Sequence, residues 1–456
     1  MLTDLSCLRY PLPPDVQRLF EAGDFARMER VIARRLLDPC VPEALKKRLR
    51  FQLSIARELP RAYPHTRAAL LRELQSRVQD FTADELEALR DDGTLDWRYI
   101  DGEVRFKDNA ISSLFKTRAE YAARAVDPKG VAEEKQRAQR LDAVIARMKA
   151  RGGLRLRFTL REEMTVRSER LTPGELLRVH LPLPVAGAQV THAALLSTSH
   201  TAKFIAPEDE PHRTVYFELP YEPGMTVSAN IAYEIDAPYR EPRAEDVLPE
   251  QPTFDTEELP PHVVFTPYLR VLAEEIAGEE NNVLVKARKI YDFITTQAVY
   301  RFMPPYLAVT NIPEYFLGGL RGDCGVQALT FITLCRAVGI PAQWQAGLYT
   351  TPVSVGNHDW ARFYVAPYGW LFADCSFGGD AYRAGDLERW NFYFGNLEPW
   401  RLPLCSAFQQ EFNPPRLFLR RDPYDNQNGE VETLHRALDR WEYDTDARVL
   451  SCEELG

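Results

Sequence analysis

The chain has 456 residues, more than one ordinary domain holds, and its 45% hydrophobic and 27% charged content is that of a globular protein. A formal net charge of −10 excludes broad recognition of nucleic-acid phosphates. The seven cysteines are scattered and form no CxxC pair, which argues against a disulfide framework and a cysteine zinc site. No run of about 18 apolar residues is present, and Met1 to Cys7 lacks a basic stretch followed by an apolar one. The expectation is a protein without leader, membrane span or membrane partner, in a reducing cytoplasm, with no metal and no cofactor.

Helical spacing dominates the first 150 residues. Pro14 to Leu37 carries Val16, Leu19, Phe20, Met28, Val31, Ile32 and Leu36 near a 3.6 period, and Pro42 to Leu59 repeats the pattern with Pro42 as first helical residue. The basic stretch Arg27 to Arg50 reads as a solvated helix face. Thr82 to Glu85 reads as a capping box. Asp101-Gly102 reads as the turn of a short hairpin within Trp97–Phe106. Helices resume near Ala110 and from Val131 to Lys149, and Arg151-Gly152-Gly153 ends the region.

From Leu154 the period changes. Leu154, Leu156, Phe158 and Leu160 alternate with Arg155, Arg157 and Thr159, a half-buried strand. Short β-rich runs follow at Glu175–Leu183, Gln189–Ser197, Thr214–Leu219 and Thr226–Ile235, separated by Pro- and Gly-bearing turns. They predict a small β-sandwich. The layout expected is an α+β multidomain chain: a helical domain at 1–152, a β-sandwich at 153–240, an extended Pro- and Glu-rich linker at 241–261, and an α+β catalytic domain at 262–456.

Three short motifs in the last part carry chemistry. Arg321-Gly322-Asp323-Cys324-Gly325 precedes an apolar helical run from Val326 to Val338, which ends at Gly339-Ile340-Pro341. Cys324 should therefore start a helix, where the dipole and free N–H groups favour a thiolate and could hold an oxyanion. The flanking glycines should let a substrate backbone approach the sulfur. Gly356-Asn357-His358-Asp359-Trp360 leads from a Thr350–Gly356 loop into an alternating strand, with His358 at its start. Gly369 to Asp374 reads as the next strand, with Asp374 at its end. An antiparallel hairpin sets those two side by side, so Asp374 could orient His358 as base for a Cys324 nucleophile. Taken singly, each has a structural explanation: a buried cysteine, a packed histidine, a turn aspartate.

Together, Gly322-Asp323-Cys324 with its helix to Pro341, His358 followed by Trp360, and Gly369-Trp370 with Asp374 resemble the transglutaminase-like superfamily, a branch of the papain-like cysteine enzymes. Leu177 to Pro184 looks like a strand of the β-domain that precedes this core in bacterial members. The resemblance implies a papain-like α+β core in which Cys324 forms a thioester, His358 moves the proton and Asp374 orients His358. The Cys324 N–H would supply half of an oxyanion hole. Position 318 is Gly where a papain-like glutamine would stand, which leaves Tyr300, Asn311 and Gln327 as side-chain oxyanion candidates. Asp323, Trp360 and Cys375 are cleft candidates, and Cys375 stands where many relatives have proline.

Tyr382, Trp390, Phe392, Tyr393, Phe394 and Trp400 read as core cover before cleft wall. Arg362 and Arg383 read as surface, and Asn426 to Gly429 as a turn without chemistry. The leading function is hydrolysis of a peptide or protein amide through a thioester. Acyl transfer to an amine is the close variant, and a non-catalytic binding scaffold the third reading.

Overall fold

The computed structural model describes residues 5–127, 129–187 and 189–456. Met1 to Asp4, part of the stretch read for a leader, lie outside them. Helix takes 38% of the chain and strand 28%, the expected mixture of α and β.

The N-terminal region is helical, with one difference. The single helix expected over Pro14–Leu37 is two, Pro14–Glu21 and Phe25–Leu37. Gly23 adopts φ 69°, and a Cβ there would lie 1.9 Å from the Tyr99 carbonyl oxygen, so the chain turns where only glycine fits. Asp24 then caps the second helix through Arg27 N–H. The Thr82–Glu85 capping box is present, and Trp97–Ile100 pairs with Glu103–Phe106 across Asp101 and Gly102, both at positive φ.

Two four-stranded antiparallel sheets follow. One contains Gly153–Val166, Val190–Thr198 and Thr226–Pro238; the other contains Leu176–Pro182, Phe204–Ile205 and Thr214–Pro220. Each takes its fourth strand from the far end of the chain. Tyr443–Leu455 pairs with Gly153–Val166, and Glu430–Thr433 pairs with Leu176–Pro182. The expected boundaries, a sandwich ending at 240 and a catalytic domain running to 456, are therefore corrected. Tyr443–Leu455 alternates like any sandwich strand, and only long-range pairing reveals which sheet it joins.

The remaining part is built on a five-stranded antiparallel sheet. Its order is Phe394–Gly395, Gly369–Ala373, Ser354–Val365, Ala342–Thr351, Arg401–Cys405. The Cys324–Ala337 helix packs on it, with Phe331 edge-on to Phe363 at 5.6 Å. One hydrophobic core runs from Met28 and Leu49 through Phe158 and Tyr233 to Leu329 and Trp360. Tyr233 Oη donates to Thr350 Oγ1 at 2.8 Å across the seam between sandwich and sheet. The 241–261 stretch lies along the surface and is tied down, Asn282 Nδ2 donating to the Ala244 carbonyl and Ala366 N–H to Gln251, both at 2.8 Å.

Candidate active site

Cys324 opens its helix because Asp323 caps it, accepting the Val326 N–H at 3.2 Å. The helix start leaves the Cys324 and Gly325 N–H groups without helical acceptors, the geometry that receives an anion. The flanking glycines serve packing instead of substrate approach. A Cβ at Gly322 would meet Val326 Cγ1 at 2.7 Å, and one at Gly325 would meet Tyr306 Oη at 2.4 Å and Asp359 Oδ2 at 2.7 Å.

His358 lies inside the Ser354–Val365 strand, opposite Gly347. It does not start the strand: the expected Thr350–Gly356 loop is a tight hairpin with Thr351 already paired to Ser354. Asp374 follows the Gly369–Ala373 strand. Ala361 pairs with Ala373, so one further step sets Asp374 opposite Trp360, on the His358 face. His358 Nε2 donates to Asp374 Oδ2 at 2.7 Å, with both side chains buried. The same oxygen accepts from Arg401 Nη1 at 2.7 Å, and Arg401 in turn binds Glu398 at 2.6 Å. Asp374 Oδ1 caps the Cys375–Arg383 helix through Phe377 N–H at 2.9 Å. The carboxylate is fixed on three sides.

The Cys324 thiol donates to Asp359, the residue directly after His358, with Sγ 3.4 Å from Oδ2. Gln427 holds that carboxyl from the other side: its Nε2 donates to Asp359 Oδ1 at 2.6 Å and to the His358 carbonyl at 3.1 Å. Tyr306 Oη donates to Asp323 Oδ1 at 2.5 Å.

These surroundings set the charges. Burial opposes ionisation of Asp374, but His358 and Arg401 outweigh it and hold the carboxyl down at about 2. Burial lowers His358, and Arg401 lowers it further against the pull of Asp374. Burial pushes the Cys324 thiol well up, and the carboxyls of Asp359 and Asp323 push the same way. The thiolate-favouring expectation from the helix start is therefore reversed. A helix N-terminus contributes about 0.3–2 kcal/mol, less than desolvating a thiolate beside two carboxyls costs. The resting site holds a neutral thiol, a neutral imidazole and an ionised Asp374.

Residues 270–375 match the family model of the transglutaminase-like superfamily. The chain carries a transglutaminase-like core. A proposed cysteine protease from Cytophaga hutchinsonii is similar at 14% identity over 67% of this chain and 91% of that one, with a TM-score of 0.44. The periplasmic domain of TgpA from Pseudomonas aeruginosa is similar at 14% identity over 54% of this chain and 95% of that one, with a TM-score of 0.26. None of the curated proteins matches the chain.

Within the transglutaminase-like core, the other candidates separate. Tyr300 is buried, and its hydroxyl is pushed well up by burial and by the neighbouring Cys324 and Asp323. The Lys116 ammonium lies 3.4 Å from its ring centre. Asn311 is a helix cap for Glu314 N–H at 3.1 Å. Gln327 is spent on the Gly322 carbonyl at 2.9 Å, fastening the turn before Cys324. Asp323 is a cap and a Tyr306 partner, not a cleft wall. Trp360 is fully buried, its Nε1 donating to Gln345 at 2.7 Å. Cys375 is buried and its thiol pushed well up, so it packs. Phe392, Tyr393, Phe394 and Trp400 are buried, and Tyr382 is exposed. Arg362 lies over the Trp370 ring at 4.6 Å, and Arg383 binds Ala298 O and Asp380.

Four residues at the site carry no sequence signal of their own: Asp359, Arg401, Tyr306 and Gln427. For Asp359 the one available cue is its place between the motif residues His358 and Trp360. Gln427 comes from the stretch read as a plain turn.

Proposed function

We propose that the core hydrolyses an amide or peptide bond of a peptide or protein through a thioester on Cys324. The observation that carries this is the position of the sulfur: it rests on the residue next to His358, and His358 is itself locked to Asp374. Because Nε2 of His358 is engaged by Asp374, Nδ1 is the nitrogen left for the thiol proton. In the resting state that proton is held by Asp359. Rotation about the Cys324 Cα–Cβ bond turns the thiol toward His358, which takes the proton as sulfur attacks the carbonyl carbon. The oxyanion forms near the Cys324 and Gly325 N–H groups, with Tyr300 the adjacent side-chain donor. His358 returns the proton to the departing amine, leaving the thioester. Water then attacks, gives a proton to His358, and the carboxylic acid leaves as sulfur takes that proton back. Asp374, kept ionised by Arg401, stabilises the transient imidazolium.

A panel of peptide amides and activated esters tests this by intact-protein mass spectrometry. An acyl adduct on Cys324, removed by hydroxylamine and missing in Cys324→Ala, is expected. Equal hydrolysis by Cys324→Ala would overturn the reading. Added amines then separate hydrolysis from acyl transfer by the product formed.

A further inference from the structure

The candidate nucleophile lies among carboxyls, and both Asp359 and Asp323 oppose a negative charge on the Cys324 sulfur. Two cations near the site are spent elsewhere. Arg401 is fully buried between Asp374 and Glu398, and Lys107 binds Asp108 at 2.9 Å. Attack on an amide nevertheless gathers negative charge at the sulfur and at the carbonyl oxygen, and a cation fixed nearby stabilises it.

Lys116 supplies such a cation, and it comes from the helical N-terminal region. Ala110, Ile111 and Leu114 anchor the Ala110–Thr117 helix in that region's core, and Lys116 leaves the last turn as an exposed side chain. Its ammonium sits 3.4 Å from the centre of the Tyr300 ring. Tyr300 is 7% exposed, and the Phe302 ring meets it edge-on at 5.3 Å, so the ring is held in place. Val299–Tyr300 runs parallel to Arg321–Gly322, with Tyr300 opposite Gly322, two residues before Cys324. Among the described residues no carboxylate forms an ion pair with Lys116. A lysine side chain is flexible, and here the ring face is what holds its ammonium. From that position its charge pulls the Cys324 thiol down against the carboxyls and lowers His358 as well.

We propose that Lys116 is a positioning residue of the thioester site, seated by the Tyr300 ring so that its ammonium acts on the negative charge forming at Cys324. The inference rests on the proposed thioester chemistry and goes beyond it: the helical region contributes a charge to the site instead of serving only as a neighbouring domain. Before attack, the ammonium favours thiolate over thiol. By lowering His358 it also keeps the imidazole neutral, ready to take the thiol proton. The seat needs the Tyr300 ring and not its hydroxyl.

Alkylation of Cys324 by iodoacetamide in the full-length protein tests this without a substrate, and a neutral reagent is not itself steered by charge. Exposed Cys40 is the internal standard. Lys116→Met keeps the side chain's bulk and loses its charge; at low salt it should slow Cys324 about two- to fivefold, the range of an exposed charge interaction. Lys116→Arg should restore most of the rate, and Lys116→Glu should slow it further. Raising the ionic strength to about 0.5 M should erase the difference between lysine and methionine. Tyr300→Phe keeps the ring and should keep that difference, whereas Tyr300→Leu should lose it. An unchanged rate in Lys116→Met, or no rescue by Lys116→Arg, overturns the role. A loss that salt leaves untouched marks altered packing and overturns it too. Acyl-adduct formation by the wild-type and Lys116→Met proteins separates the two readings. If alkylation slows as expected and no adduct forms, the charge effect of Lys116 stands and the hydrolase reading falls. If the adduct forms at the same rate in both proteins, the hydrolase reading stands and the role of Lys116 falls.

Discussion

Replacing Asp359 by Asn should make the Cys324 thiol more reactive, although it alters a residue in contact with the nucleophile. The carboxyl lies 3.4 Å from Sγ. Two full charges at that distance repel by about 5 kcal/mol at an effective dielectric of about 20. Burial and the adjacent Asp323 push the Asp359 carboxyl itself well up, which weakens its opposition to the thiolate. The share that opposes thiolate formation is then smaller, about 1.4–3 kcal/mol. Asn removes the charge, keeps an oxygen for Gln427, and offers an N–H to the sulfur. Alkylation of Cys324 by iodoacetamide at pH 7.5, followed by peptide mass spectrometry, should therefore speed up about 10- to 100-fold, since each 1.4 kcal/mol is tenfold. Exposed Cys40 serves as the internal standard and should keep its rate. An unchanged or slower rate at Cys324 refutes the idea that Asp359 restrains the thiol.

Two further perturbations test the supports. Arg401→Met leaves Asp374 and Glu398 as buried, uncompensated carboxylates, since the guanidinium contacts both and is fully buried; thermal and chemical denaturation should show a loss of about 3–5 kcal/mol, and a loss below about 1 kcal/mol would contradict the pairing. His262 is buried with Nε2 3.1 Å from Tyr424 Oη, and burial holds its imidazole down at about 3. The unfolded state then binds the proton first, so stability is complete above about pH 6.5 and falls with pH, by about 2 kcal/mol at pH 5 from this residue. Denaturation of His262→Phe at pH 7.5 and 5 should show a correspondingly flatter decline, and a slope equal to that of the unaltered protein would count against it.

Local patterns make much of the fold legible. Capping chemistry at Thr82, the Asp101-Gly102 turn and the strict alternation after Leu154 are short-range signals, and each element they predict is present. The close contact of His358 with Asp374 is readable from hairpin spacing. What escapes depends on distant chain segments. Nothing near Glu430 or Tyr443 tells that these strands return to pair with strands about 250 to 300 positions earlier. Arg401 looks like any strand-edge cation until the fold buries it between Asp374 and Glu398. The thiol's state escapes for a related reason: the helix-start effect is local, whereas the desolvation and carboxyls that overcome it come from tertiary packing.

The path of the last fifty residues explains why site and sandwich belong to one structure. After Cys405 the chain crosses the core in an irregular stretch, where the Tyr424 ring is tilted against Tyr306 and edge-on to His262, and Gln427 reaches the backbone of His358. It then enters both sheets of the sandwich as their final strands. A segment anchored at one end in the five-stranded sheet and at the other in the sandwich cannot shift by one residue without reversing the facing of those strands. Gln427 sits between these anchors, so the contact that orients Asp359 is fixed by the pairing of Glu430–Thr433 with Leu176–Pro182. The sandwich thereby sets the position of a side chain that holds the carboxyl beside the thiol.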